Sequence, residues 1–99
     1  MKRVFISQPM RDKTDEQIKE ERARAIEAVK ELYEDDVEII DSFFESAPHD
    51  ARPLWFLGKS FELLSTADVA YFVKGWGAYR ECKMEYLACK EYEIAIMTE

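Results

Sequence analysis

Two glutamates four residues apart, Glu81 and Glu85, are the first candidates for chemistry in this chain. At that spacing both side chains lie on one face of a helix. If both point over a sheet edge, mutual repulsion and partial burial raise the pKa of one, which suits a carboxylate that acts as both acid and base. The same spacing fits a solvent-exposed helix face, and the pattern leaves both interpretations open.

A second set of polar residues follows the first apolar run. Ser7, Gln8, Met10 and Arg11 stand between that run and a helical pattern. A polar turn, an arginine and a helix N-terminus are the parts of an anion site, although the glycine and lysine spacing of a phosphate-binding P-loop is absent. Arg80, just before the two glutamates, is assigned to the same substrate site.

Aromatic side chains make a third set. Trp76 lies between two glycines, and Phe43 lies in a long loop before the second predicted helix. Such rings could form the walls of a site for a flat base, or they could be core or interface residues.

The second and third sets fall in turns that follow an apolar strand and precede a helix, and the two glutamates lie in the helix that follows the last of these turns. We expect strands at residues 2–7, 37–40, 69–73 and 94–97, and helices from Thr14 onward, at 53–65 and at 78–92. This alternation predicts an α/β fold, a small doubly wound (flavodoxin-like or Rossmann-like) parallel sheet of four to five strands with helices on both faces. Ligands bind such sheets where strands end and helices begin.

Composition bounds the class of protein. The 99 residues form a single predicted domain, 1–99, and a net charge of -7 argues against general affinity for nucleic acid or anionic membrane. No apolar run is long enough to span a bilayer and no signal-peptide core is evident, so we expect a cytoplasmic protein. Cys82 and Cys89 are predicted to be reduced packing residues, and with one histidine we expect no metal and no cofactor.

The second predicted helix is apolar around most of its circumference. A helix laid on a sheet needs only one apolar stripe, so part of this helix is expected to bury against another subunit. The sequence therefore predicts a homo-oligomer, a dimer or higher.

A family resemblance adds to this interpretation. Residues 4–11 (Val-Phe-Ile-Ser-Gln-Pro-Met-Arg), the pair Ala67-Asp68 before a strand, and Glu85 in the next helix resemble the nucleoside 2-deoxyribosyltransferase family and its relative, the 2'-deoxynucleoside 5'-phosphate N-hydrolase. The likeness covers almost the whole chain and is greatest to a small bacterial and phage branch.

The resemblance implies a nucleoside or nucleotide as ligand and an activity of N-glycosidase or deoxyribosyltransferase type. By position, Glu85 is the nucleophile that attacks the anomeric carbon, and residues 7–11 bind any phosphate. Three positions depart from the family pattern: Phe5 replaces a tyrosine, Ser60 an aspartate that acts as acid and base, and Glu81 a glycine.

These departures leave three alternatives open: an enzyme, a binding module that senses or sequesters a nucleotide without catalysis, and a structural oligomerisation domain. A further hypothesis gives Glu81 a raised pKa and the role of the missing proton donor.

Overall fold

The protein is described by a computed structural model that covers residues 1–42 and 48–99. The strands are β1 (Lys2–Ser7), β2 (Val37–Ile39), β3 (Val69–Phe72) and β4 (Ala95–Thr98), and the helices are α1 (Asp15–Leu32), α2 (Pro53–Leu64) and α3 (Arg80–Glu91), with a 3₁₀ turn at Trp76–Ala78. Every predicted strand and helix is present, and the bounds differ by at most two residues.

The described strands form one all-parallel sheet in the order β2-β1-β3-β4. The predicted α/β fold with a small parallel sheet is confirmed, with four strands. Chain connections run from β1 outward to β2 and then back across to β3, so the direction of winding reverses between β1 and β3. Such a reversal opens a crevice beyond the carboxyl ends of the two strands, and this is where open α/β sheets bind ligands.

The two faces of the sheet carry separate apolar clusters. On one face, Val4 and Ile6 of β1 pack with Ala25 and Val29 of α1. On the other face, Phe5 packs in a cluster to which α2 and α3 contribute. The alternation of β1 side chains explains the division, because successive residues of a strand point to opposite faces.

Local sequence explains where the helices begin. Thr14 accepts a hydrogen bond from the Gln17 backbone, and the Gln17 side chain bonds back to the Thr14 N–H, which completes the predicted capping box. Pro53 is the first residue of α2. Helix α3 begins two residues later than predicted because Gly75 adopts φ +91° and Tyr79 is extended, so a separate 3₁₀ turn precedes the helix.

The outer face of α2 is apolar and partly exposed. Leu54 is 77% exposed and Phe61 37%, whereas Leu57 and Leu64 on the inner face are buried. The expected homo-oligomer stays a prediction that this exposed surface motivates. Among the described residues, no helix combines the length and apolar character that crossing a membrane requires.

Candidate functional site

A cleft of about 360 Å³ lies beyond the carboxyl ends of the sheet, at the winding reversal. Its walls come from the end of β1 and the turn after it, from the first half of α2, and from the residues around the start of α3. The lining residues are Phe5, Ile6, Gln8, Pro9, Met10, Arg11, Ser42, Pro53, Phe56, Leu57, Ser60, Tyr79, Arg80, Glu81, Cys82 and Glu85. A mostly apolar wall with a few polar groups is typical of a small-molecule site, and the volume lies at the lower end of the usual range of roughly 300–1,000 Å³.

The carboxyl group of Glu85 is buried and held in a fixed orientation. The Ser7 hydroxyl donates a hydrogen bond to Glu85 Oε1 at 2.6 Å, and Ser60 makes a second side-chain hydrogen bond to the carboxylate. Ser7 shares a sheet face with Phe5, and Glu85 belongs to the buried stripe of α3 together with Cys82 and Cys89. Strand alternation and helical spacing therefore bring a hydroxyl and a carboxyl group together at the cleft.

The pKa of Glu85 is raised to about 7: burial is the largest cause, the hydrogen bonds from Ser7 and Ser60 act in the opposite direction, and the charge of Glu81 adds a smaller rise. The predicted rise in the pKa of one of the two glutamates is confirmed, with burial as the main cause. At neutral pH such a carboxyl group is close to half ionised, so it can give or take a proton.

The pKa of Glu81 is shifted in the opposite direction. Partial burial acts to raise its pKa, but a backbone hydrogen bond at the start of α3, the Arg80 side chain and the charge of Arg11 outweigh burial, and the net pKa is lowered. Arg80 Nη2 lies 3.0 Å from Glu81 Oε1. The raised pKa that the hypothesis gave to Glu81 is therefore wrong, because the cations around Glu81 favour its ionised form, and a catalytic role for Glu81 stays a prediction.

Basic and aromatic groups meet at one side of the cleft. Arg11 Cζ lies 5.7 Å from the ring centroid of Tyr79, and Lys13 Nζ lies 6.0 Å from it. Lys13 also pairs with Glu21 on α1 at 2.8 Å, which ties the first turn to the helix. The positive charge predicted after the first strand is thus present beside the cleft, and Arg80 with its partner Glu81 lies at the same opening.

Gln8 fixes the turn after β1. Its Nε2 donates to the Ile18 carbonyl oxygen at 2.6 Å, so the amide oxygen is left as an acceptor. That oxygen is buried and has no partner among the described residues. An unpaired buried acceptor costs about 1–3 kcal/mol, which a suitable donor would recover.

The cleft brings most of the predicted site residues together. Lining residues include Gln8, Met10, Arg11, Ser60, Arg80, Glu81 and Glu85, and Ser7 reaches the site through its bond to Glu85. Trp76 is not among the lining residues: it stacks on Tyr86 at 4.4 Å between centroids and also packs on Phe72. Trp76 therefore packs as a core residue and does not form a wall of the cleft. Phe43 lies outside the described residues.

Part of the wall was not predicted from the sequence. Pro53, Phe56 and Leu57 of α2 share with Ser60 the face that points into the cleft, and Tyr79 lines the cleft with Arg11 over its ring. The i, i+3, i+4, i+7 spacing of the α2 residues was a usable signal, since it marks one face of a helix. Tyr79 carried no such signal, because its position depends on the extended backbone between the 3₁₀ turn and α3.

The fold and site together define a small parallel α/β domain with one buried carboxyl group in a ligand-sized cleft. Within the described part of the chain, no group of three or more His, Cys, Asp and Glu residues is placed to hold a metal ion. Comparisons with protein-family models, with curated proteins and with solved structures give no match. Membership of the deoxyribosyltransferase superfamily therefore stays a prediction from the sequence motifs.

Proposed function

We propose that the cleft binds a nucleoside or nucleotide and that Glu85 acts on its N-glycosidic bond, in hydrolysis or in transfer of the deoxyribosyl group. The observation that carries the proposal is the Glu85 carboxyl group, buried at the winding reversal and oriented by the Ser7 hydroxyl at 2.6 Å. A carboxylate fixed beside a sugar-sized space is the arrangement that covalent glycosyl transfer uses.

The reaction follows in two balanced steps. An ionised Glu85 oxygen forms a bond to the anomeric carbon as the bond from that carbon to the base nitrogen breaks, and the base leaves with the electron pair and takes a proton from water. Water, or the nitrogen of a second base, then attacks the same carbon. The ester bond to Glu85 breaks, its electron pair returns to the carboxylate, and the proton of the attacking group passes to solvent.

Two features of the site serve the first step. Hydrogen bonds from Ser7 and Ser60 leave the carboxylate one preferred orientation, which lowers the entropic cost of reaching the reactive geometry. Burial keeps the carboxylate poorly solvated, which makes it a stronger nucleophile when it is ionised. Because the pKa of Glu85 is about 7, the ionised fraction, and with it turnover, rises through neutral pH.

A binding module without turnover is the second candidate. It is favoured because the described residues of the cleft offer no suitable group to protonate the departing base. Glu81 and Glu85 are the carboxyl groups that line the described cleft, and Glu81 is held ionised. Ser60 stands where the family has its acid and bonds to Glu85 instead. A serine hydroxyl is too weak an acid to protonate a departing base efficiently near neutral pH.

The deciding experiment follows release of free base by chromatography from the four common deoxynucleosides and their 5'-monophosphates at pH 8. Glu85→Gln is the test variant, since the amide keeps the shape and the acceptor for Ser7 but cannot attack. Glu91→Gln, an exposed position on the same helix, is the matched control. Release by wild type and control but not by Glu85→Gln supports the enzyme.

Mass spectrometry of the quenched wild-type reaction should then show a deoxyribosyl adduct on the peptide that contains Glu85. Calorimetric binding of the same ligands without base release would support the binding module. Neither release nor binding would refute both candidates.

A further inference from the structure

A carboxylate stands beside two arginines at the opening of the cleft. Arg80 pairs with Glu81 at 3.0 Å, and the positive charge of Arg11 also acts on Glu81. All three side chains are among the residues that line the cleft. The two cations that would otherwise attract an anionic ligand are thus partly neutralised by a group of the protein itself.

Glu81 does not turn away from the site. Its side chain is 36% exposed, and the helix places it one turn before Glu85 on the same face. A ligand that reaches Glu85 therefore passes near the Glu81 carboxylate. An ionised carboxylate repels a phosphate group at short range but accepts a hydrogen bond from a hydroxyl group.

We propose that Glu81 selects ligands by charge, so that the cleft takes nucleosides with a free sugar hydroxyl in preference to nucleoside monophosphates. This inference rests on the proposed function for the nature of the ligand. It differs from the sequence-based expectation that the first turn binds a phosphate, which stays a prediction that the same test addresses. Selection of this kind needs a repulsive element against the wrong ligand as well as an attractive one for the right ligand, and Glu81 supplies both.

The arrangement also explains how the site keeps two arginines without becoming a phosphate site. Arginine binds phosphate through paired N–H groups, and a carboxylate is the competing partner for the same groups. With Glu81 in place, a phosphate on Arg80 competes with the carboxylate for Nη2 and lies close to its negative charge. Without the negative charge at position 81, Arg11 and Arg80 both become available.

The test measures binding by calorimetry in the Glu85→Gln background, where no ligand is consumed. The ligands are the four deoxynucleosides and their 5'-monophosphates, and ribose 5-phosphate is an anion probe without a base. We expect the parent to bind nucleosides about tenfold or more tightly than the monophosphates. Adding Glu81→Gln should tighten monophosphate binding at least tenfold and should create binding of ribose 5-phosphate. Nucleoside binding should weaken rather than tighten, because an amide oxygen accepts a weaker hydrogen bond from a hydroxyl group than a carboxylate does.

Glu91→Gln added to the same background is the matched control, because it removes one negative charge from α3 outside the cleft. A similar gain in this control would show a general effect of net charge and would overturn the inference. So would a parent that prefers monophosphates, or a Glu81→Gln variant that binds no phosphate ligand more tightly. If no nucleoside binds but Glu81→Gln gains ribose 5-phosphate, charge selection stands and the proposed function fails.

Discussion

Replacing Glu85 by glutamine should show by how much the buried carboxyl group lowers the free energy of unfolding. The pKa of Glu85 is raised from its ordinary value of 4.5 to about 7, with burial as the largest cause. Between these two pH values the folded protein keeps a proton that the unfolded chain has lost. The free energy of unfolding therefore falls as pH rises from 4.5 to 7, by about 1.4 kcal/mol per pH unit from this group.

The total loss is about 3 kcal/mol by pH 8, a large part of the roughly 5–15 kcal/mol by which a domain is stable. Glutamine keeps the shape and the acceptor for Ser7 but does not ionise. The Glu85→Gln variant should match wild type at pH 4.5 and exceed it by about 3 kcal/mol at pH 8. For a domain of this size that difference raises the melting temperature by more than about 10 °C.

The assay is urea denaturation of both proteins at intervals from pH 4.5 to pH 8. Subtracting one curve from the other removes the contributions of the other carboxyl groups, which the two proteins share. The exposed Glu91→Gln variant, measured in the same way, is the control for loss of a carboxyl group from the same helix. A difference between Glu85→Gln and wild type that is constant with pH would refute the reasoning, because it would mean that folding does not change the pKa of Glu85.

Three further predictions concern other parts of the molecule. Ser7→Ala removes a hydrogen bond that lowers the pKa of Glu85, so the pH midpoint of turnover, read from a pH–rate profile, should move upward; an unchanged midpoint would contradict the role of Ser7. Gly75→Ala should cost about 1 kcal/mol or more in urea denaturation because φ is +91°, whereas Gly77→Ala, at a position without positive φ and with open space for a Cβ, should stay within about 0.5 kcal/mol; equal effects would contradict this. Leu54→Ser should dissociate the expected homo-oligomer in analytical ultracentrifugation with little loss of protomer stability, and a monomeric wild type would show that prediction to be wrong.

The fold was predictable because its signals are local. The apolar run of β1, the capping box at Thr14 and the proline at the start of α2 each fix a boundary through contacts within a few residues. The start of α3 was misplaced by two residues because Gly75 was recognised as part of a turn but not as a left-handed residue. Gly75 begins the 3₁₀ turn, and the extended Tyr79 separates that turn from the helix. Sequence alone does not distinguish this arrangement from a simple glycine turn.

The sequence predicted many members of the site, but not which of its two glutamates has the raised pKa. The carboxyl ends of β1 and β3 had to lie together in a parallel sheet, so residues of the first turn and of α3 could be grouped from the chain order alone. The pKa values of Glu81 and Glu85 depend on which neighbours each one meets. A backbone hydrogen bond, the Arg80 side chain and the charge of Arg11 lower the pKa of Glu81, while burial raises that of Glu85. No spacing rule separates two glutamates of the same helix face.

The position of Glu85 is difficult to explain by structure alone. It belongs to the stripe through which α3 packs on the sheet, where Cys82 and Cys89 are almost completely buried, and an apolar residue there would avoid a cost of about 3 kcal/mol at neutral pH. The two serines that bond to it reduce that cost without removing it, and they also restrict the carboxylate to one orientation. Glu85 thus lowers stability, is held in one orientation and lines a cleft. These three properties are expected of a residue that acts on a ligand, because functional residues are retained at the expense of stability.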